Sequence, residues 1–88
     1  MTGFTIYTKD NCRFCTMAKA LILDMVDTPS DLEIINNPSE FVVSGLKETY
    51  NHNTYPFIFL GNEFIGGYSD LVKDEEAIQT KYDEQCYN

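Results

Sequence analysis

Basic residues are scarce in this chain of 88 residues: six lysines and arginines stand against fourteen aspartates and glutamates, for a formal net charge of −8. So acidic a balance argues against nonspecific binding to nucleic acid or anionic membranes, which needs a basic surface. Long apolar runs are missing too, and none approaches the roughly 20 residues of a membrane-spanning helix. No repeat, linker or low-complexity stretch interrupts the chain, so one small domain over residues 1–88 is expected. Cysteine occurs only three times. The make-up, 43% hydrophobic and 14% aromatic, is that of an ordinary globule that needs no disulfide scaffold. The start, Met1-Thr2-Gly3-Phe4, lacks the basic and apolar regions of a signal peptide, so a reducing cytoplasm is the expected setting. In that setting a Cys-x-x-Cys pair serves catalysis or metal binding rather than structural bridging.

What is present reads as alternating strands and helices. Residues 4–8 form a β-rich run that Lys9-Asp10-Asn11 breaks. Asn11 is placed to cap a helix from Cys12 to about Val26, with Phe14, Ala18, Leu21, Ile22 and Met25 at helical spacing. Leu32 to Ile35 reads as a second strand. Asn37, Pro38 and Glu40 together predict a capped helix whose apolar stripe is Val42, Val43, Leu46 and Tyr50. Phe57-Ile58-Phe59-Leu60 is a buried strand, and Gly61-Asn62 turns it into a hairpin with Glu63-Phe64-Ile65. Ser69 is placed to cap a last helix carrying Leu71, Val72, Ile78 and Tyr82. Six acids between Asp70 and Glu84 read as a solvated helix face, with a docking surface for a basic partner as the alternative. The βαβ start implies parallel strands with a right-handed crossover, and the hairpin adds two antiparallel strands. The fold class is therefore α/β: a mixed four-stranded sheet in the order β-α-β-α-β-β-α, with helices on both faces.

The chemistry sits in Cys12-Arg13-Phe14-Cys15. Thiol–disulfide exchange needs a thiolate attacker and a second thiol close enough to resolve the mixed disulfide. A Cys-x-x-Cys at a helix start supplies both. Cys12 meets unpaired backbone N–H groups and the positive end of the helix dipole, with Lys9 and Arg13 adding charge, whereas Cys15 lies a turn deeper. Cys12 is thus the expected nucleophile and Cys15 the resolving thiol. A fall of about two units from a thiol pKa of roughly 8.5 would raise the thiolate fraction at pH 7 from about 3% to about 76%. Lower basicity takes back roughly eightfold in nucleophilicity, so attack gains only about threefold, and the better leaving group matters as much. Two other readings exist: half of a zinc site completed by His52 and Cys86, or two small core residues. Structural zinc ligands usually come as closely spaced pairs, which His52 and Cys86 are not. The placement of the motif between a strand and a helix favours exchange.

With these residues in place, the chain resembles a glutaredoxin. Ile6-Tyr7-Thr8-Lys9 with the Cys12–Cys15 motif, Tyr55-Pro56, Gly66-Gly67 and Ser69-Asp70 carry the likeness over nearly the whole length. The resemblance implies a thioredoxin-like fold, glutathione as co-substrate and no tightly bound cofactor. It implies a cis peptide before Pro56, which would turn the Tyr55 backbone toward the cysteines to pair with an extended peptide. It implies a glutathione-binding set of Lys9, Arg13, Phe14, Tyr55, Pro56, Gly67, Ser69 and Asp70. Gly67 would allow close backbone approach, the Ser69 hydroxyl would take the γ-glutamyl carboxylate, and Asp70 would take its ammonium. Disulfide-containing protein substrates, with ribonucleotide reductase as one acceptor, and a monomeric state complete what it implies. This chain departs from the family pattern by Arg13-Phe14 in place of Pro-Tyr, by Tyr55 in place of Val, and by Asn51-His52-Asn53 where a Gln, Lys or Arg is common. His52 reads as an exposed loop residue and Cys86 as an inert thiol near the end. A thioredoxin-like donor served by its own reductase is an alternative that the absence of tryptophan weakens. A [2Fe–2S] scaffold is another, and its single-cysteine or small-residue motif differs from Arg13-Phe14.

Overall fold

The computed structural model describes residues 3–86, and the side chain of Cys86 lies outside that description, as does the expectation for its thiol. The elements run β1 (Phe4–Thr8), α1 (Arg13–Met25), a short 3₁₀ turn (Pro29–Asp31), β2 (Leu32–Asn36), α2 (Glu40–Tyr50), β3 (Phe57–Leu60), β4 (Glu63–Gly66), α3 (Tyr68–Lys73) and α4 (Glu75–Cys86). The sheet order is β2-β1-β3-β4, with β1 and β2 parallel and the remaining pairs antiparallel. This is the mixed four-stranded sheet that the alternation of elements predicts.

Strand alternation sends Phe4, Ile6 and Thr8 to one face and Thr5 and Tyr7 to the other. The first face joins Ile58 and Leu60 to Ala18 and Ile22 of α1, Leu71 of α3, and Ile78 and Tyr82 of α4 in a single buried cluster. The second face carries Tyr7, Phe59 and Phe64, which pack against Tyr50 at the end of α2. No residue of α2 is buried, and Phe41 is 89% exposed, so the predicted Val42–Tyr50 stripe covers the sheet only partly.

Three caps differ from expectation. Cys12, not Asn11, is the N-cap of α1, because Asn11 takes a left-handed conformation at φ 56° in the turn before it. Ser39 caps α2, its Oγ accepting the Val42 N–H at 3.3 Å. Asn37 is again left-handed at φ 55°, and Glu40 at the first helical position stands too early to complete a capping box. Gly67, not Ser69, is the N-cap of α3. The single last helix of the sequence reading is two, because Asp74 leaves helical geometry at φ −108°, ψ 23° between α3 and α4.

Two further contacts fix the frame around the motif. Thr8, fully buried at the end of β1, donates its hydroxyl to Asn36 Oδ1 at 2.7 Å, tying the ends of β1 and β2. Tyr82 stacks on Phe4, accepts the Asp27 N–H at 2.9 Å and donates to Asp31 Oδ2, which pins α4 to the loop after α1.

Candidate active site

The loop after β1 delivers Cys12 to the mouth of α1, and the helix carries Cys15 one turn inward. The Cα atoms are 5.2 Å apart and the sulfurs are joined as a disulfide. Cys12 is half-buried, while Cys15 is only 1% exposed. The Cys15 N–H donates to Cys12 Sγ at 3.2 Å, the Thr16 N–H to Cys12 O at 3.2 Å, and the Thr16 hydroxyl to the same oxygen at 3.3 Å. The N–H facing Cys12 Sγ is one of the donors a helix start leaves unpaired, and once the pair is reduced it would point at a thiolate. The arrangement therefore makes Cys12 both the reachable sulfur and the one whose anion is stabilised.

The Tyr55–Pro56 peptide is cis and Pro56 is buried. Partial burial raises the Tyr55 phenol above its ordinary pKa. Lys9 Nζ lies 5.2 Å from the centre of the Tyr55 ring, a cation–π contact.

Several of the residues read from the sequence divide between two depressions, one of them lined by Cys12. In the first, Phe14, Tyr55, Gly67 and Ser69 line a groove of about 250 Å³ together with His52 and Tyr68. Phe14 and Tyr68 stack with ring centres 6.0 Å apart and form one wall. In the second, Lys9 and Arg13 border an open basin with Cys12, Thr16 and Lys19. Of the residues expected to bind glutathione, Phe14, Tyr55, Gly67 and Ser69 line the groove, whereas Lys9 and Arg13 line the basin; Lys9 also touches the groove's Tyr55.

Asp70 is tied to the groove through Gly67. Its Oδ2 accepts the Gly67 N–H at 2.9 Å, and Gly66 must be glycine, since it adopts φ +126° and a Cβ there would overlap that same carboxylate oxygen. Ser69 is exposed and stands at the second position of α3.

His52 is a correction. It is not an exposed loop residue but half-buried, edge-on to Phe57 at 5.1 Å and to Phe64 at 5.4 Å. A Cβ at Gly67 would lie 3.2 Å from its Cε1, so this ring occupies the space that the glycine leaves open. Its Nε2 is buried and has no hydrogen-bond partner. The cause is Asn51, which ends α2 in a left-handed conformation at φ 51° and turns the next residue inward. Asn51 after a helix was the available signal for this. Tyr68, also missed, carried none beyond its place beside Gly67. Among the described residues no three of His, Cys, Asp and Glu gather as metal ligands.

The family model for glutaredoxin matches residues 4–65. Among curated proteins, Glutaredoxin 1 of Rickettsia typhi is 34% identical over 71 residues, spanning 81% of this chain and 68% of that one. Glutaredoxin-1 of Gallus gallus is 29% identical over 75 residues, spanning 84% and 74%. Among solved structures, a buckwheat glutaredoxin–glutathione complex superposes with a TM-score of 0.75 over 89% of this chain and 72% of that one; at 18% identity this is a likeness of fold.

Proposed function

This chain belongs to the glutaredoxin family, and on that premise we propose that it is a glutathione-dependent thiol–disulfide oxidoreductase with Cys12 as nucleophile and Cys15 as resolving thiol. The observation that carries the assignment is the unequal burial of the pair: only Cys12 can be reached from solvent.

The cycle starts from the reduced pair. The Cys12 thiolate attacks one sulfur of a substrate disulfide, forming a new S–S bond as the substrate bond breaks and one substrate thiolate leaves with a proton from solvent. Cys15 then loses its proton and attacks Cys12 Sγ, expelling the second substrate thiol and leaving the Cys12–Cys15 disulfide. Two electrons have passed to the substrate. Two glutathione molecules return them, the first attacking the disulfide and the second releasing glutathione disulfide. With a glutathione-mixed disulfide as substrate, glutathione alone resolves the adduct and Cys15 is not needed.

The aromatic groove is the proposed seat of glutathione. Tyr55 backbone groups beside Pro56 would pair with its cysteinyl residue. Ser69 would take the γ-glutamyl carboxylate and the second oxygen of Asp70 its ammonium, since Oδ2 is engaged by Gly67. Lys9, standing over Tyr55, suits the far carboxylate, and Phe14 packs against the peptide. Gly67 keeps the groove open beside His52. The buckwheat complex supports this reading by kinship of fold. The protein is proposed to act as a monomer in the cytoplasm, on glutathione-mixed and protein disulfides.

The test compares turnover of a small glutathione-mixed disulfide with turnover of a protein disulfide. Cys12→Ser is expected to fall to the uncatalysed rate on both substrates. Cys15→Ser is expected to keep the first activity and lose the second. Activity surviving in Cys12→Ser would overturn the assignment, and reduction by a thioredoxin reductase without glutathione would overturn the glutathione dependence.

A further inference from the structure

The cations of this chain are unevenly placed. Only six are present against fourteen acids, yet Lys9, Arg13 and Lys19 border one open basin beside Cys12. Among the described residues the ion pair within 4 Å is Lys81–Glu63, far along the chain from these three. Among the described residues, then, the three basin cations have no carboxylate within 4 Å, and the one acid lining the basin with them is Asp10. Asp10 is itself drawn toward Asn36, whose amide donates to Oδ1 at 3.4 Å. An unpaired cationic spot on a protein of net charge −8 focuses attraction for anionic groups onto one place. The rest of the surface repels them.

The basin also has a direction. Its lining shares no residue with that of the aromatic groove, so a chain bound there need not cover the groove. Arg13 and Lys19 are six residues apart on α1, a rise of about 9 Å. An extended peptide covers that distance in about three residues.

We propose that this basin receives an acidic segment of protein substrates, with aspartates or glutamates within about three residues of the cysteine that Cys12 attacks. The inference rests on the exchange chemistry proposed above and names the substrate class of that same site. In the mixed disulfide the substrate sulfur is bonded to Cys12, which itself borders the basin, so carboxylates close to that sulfur come within reach of Lys9, Arg13 and Lys19. Exposed pairs of this kind are individually weak and screened by salt. Recognition should therefore be a modest, salt-sensitive gain in rate rather than tight binding.

The test uses the full chain in its reduced form and two peptides, each with one internal disulfide and otherwise identical, flanked by Asp-Glu-Asp or by Asn-Gln-Asn. Single-turnover reduction is followed by acid quench and mass spectrometry, and the reading is the ratio of the two rates. At about 20 mM ionic strength the acidic peptide is expected to react about fivefold faster. At 1 M salt, where screening acts over about 3 Å, the ratio should fall below twofold. Lys19→Glu should remove most of the preference, while Lys47→Glu, which changes net charge equally but lies on α2 outside the basin, should keep it. Equal rates at low salt, or a preference that survives Lys19→Glu, would overturn the inference while leaving the exchange chemistry standing. Failure to reduce either peptide would overturn both.

Discussion

On one face of the sheet, Ile6, Ile58 and Leu60 meet Ala18, Ile22, Leu71 and Tyr82 with almost no exposure. On the other, Phe59 and Phe64 meet the ring of Tyr50 and Tyr7 meets Phe59, while the helix that supplies Tyr50 buries none of its residues. Aliphatic side chains gain by being sealed from water, and α1, α3 and α4 do that together. Aromatic rings gain also from edge-to-face contacts that tolerate a wet rim. The second face closes most completely at Phe57, which is buried under His52 and Tyr55. The difference separates two duties. The aliphatic face holds α1 and α3, and with them Cys12, Cys15 and Asp70. The aromatic face shapes the groove beside them and contributes less to holding the fold.

Removing volume from the aliphatic face tests that division most severely. Ile22 is fully buried at the centre of the cluster. Ile22→Ala is expected to cost about 2–5 kcal/mol, a large part of the 5–15 kcal/mol a domain of this kind holds. Denaturant unfolding would show it as a lower midpoint at unchanged slope. A loss below about 1 kcal/mol would mean that this face is not the main source of stability.

Tyr82 probes the polar edge of the same face. Its ring is buried against Phe4, and its hydroxyl serves both the Asp27 N–H and Asp31. Tyr82→Phe keeps the ring and removes the hydroxyl, so about 1–2 kcal/mol should be lost, because Asp27 and Asp31 lie near water and can partly replace the bond. At roughly 4–8 °C per kcal/mol, thermal unfolding resolves this. No change in Tm would show that packing alone pins α4.

The two faces were also unequally legible. The period-two run of β1, the apolar spacing of α1, the hairpin at Gly61-Asn62 and the Cys-x-x-Cys at a helix start are local signals, and each became the element expected. The caps were misplaced by one or two residues because asparagine suits both an N-cap and a left-handed turn, and Asn11 and Asn37 took the second role. His52 was read as exposed because its burial depends on Phe57 and Phe64, which a local pattern does not bring to it. Arg13 and Phe14 are neighbours in sequence, yet adjacent residues on a helix point about 100° apart, so Phe14 lines the groove and Arg13 the basin. What the sequence hid was a backbone turn at Asn11 and Asn37 and, at His52, a side-chain direction set by tertiary packing.

The smallest expected effect falls on the open side of α2. Phe41 sits at the second position of that helix and is 89% exposed, whereas Phe57 is fully buried although it is the same residue type. Phe41→Ser removes a ring that touches little in the isolated chain and gives up only a small amount of helix propensity. Stability should stay within about 0.5 kcal/mol, and turnover of a glutathione-mixed disulfide should not change. The informative measurement is Tm at two protein concentrations a hundredfold apart. For a monomer, wild type and Phe41→Ser should each give the same Tm at both. If the wild type alone gains stability with concentration, a second copy covers Phe41 and binds only the folded state. The aromatic face would then be closed by assembly rather than left open, and its contrast with the aliphatic face would hold only for the single chain.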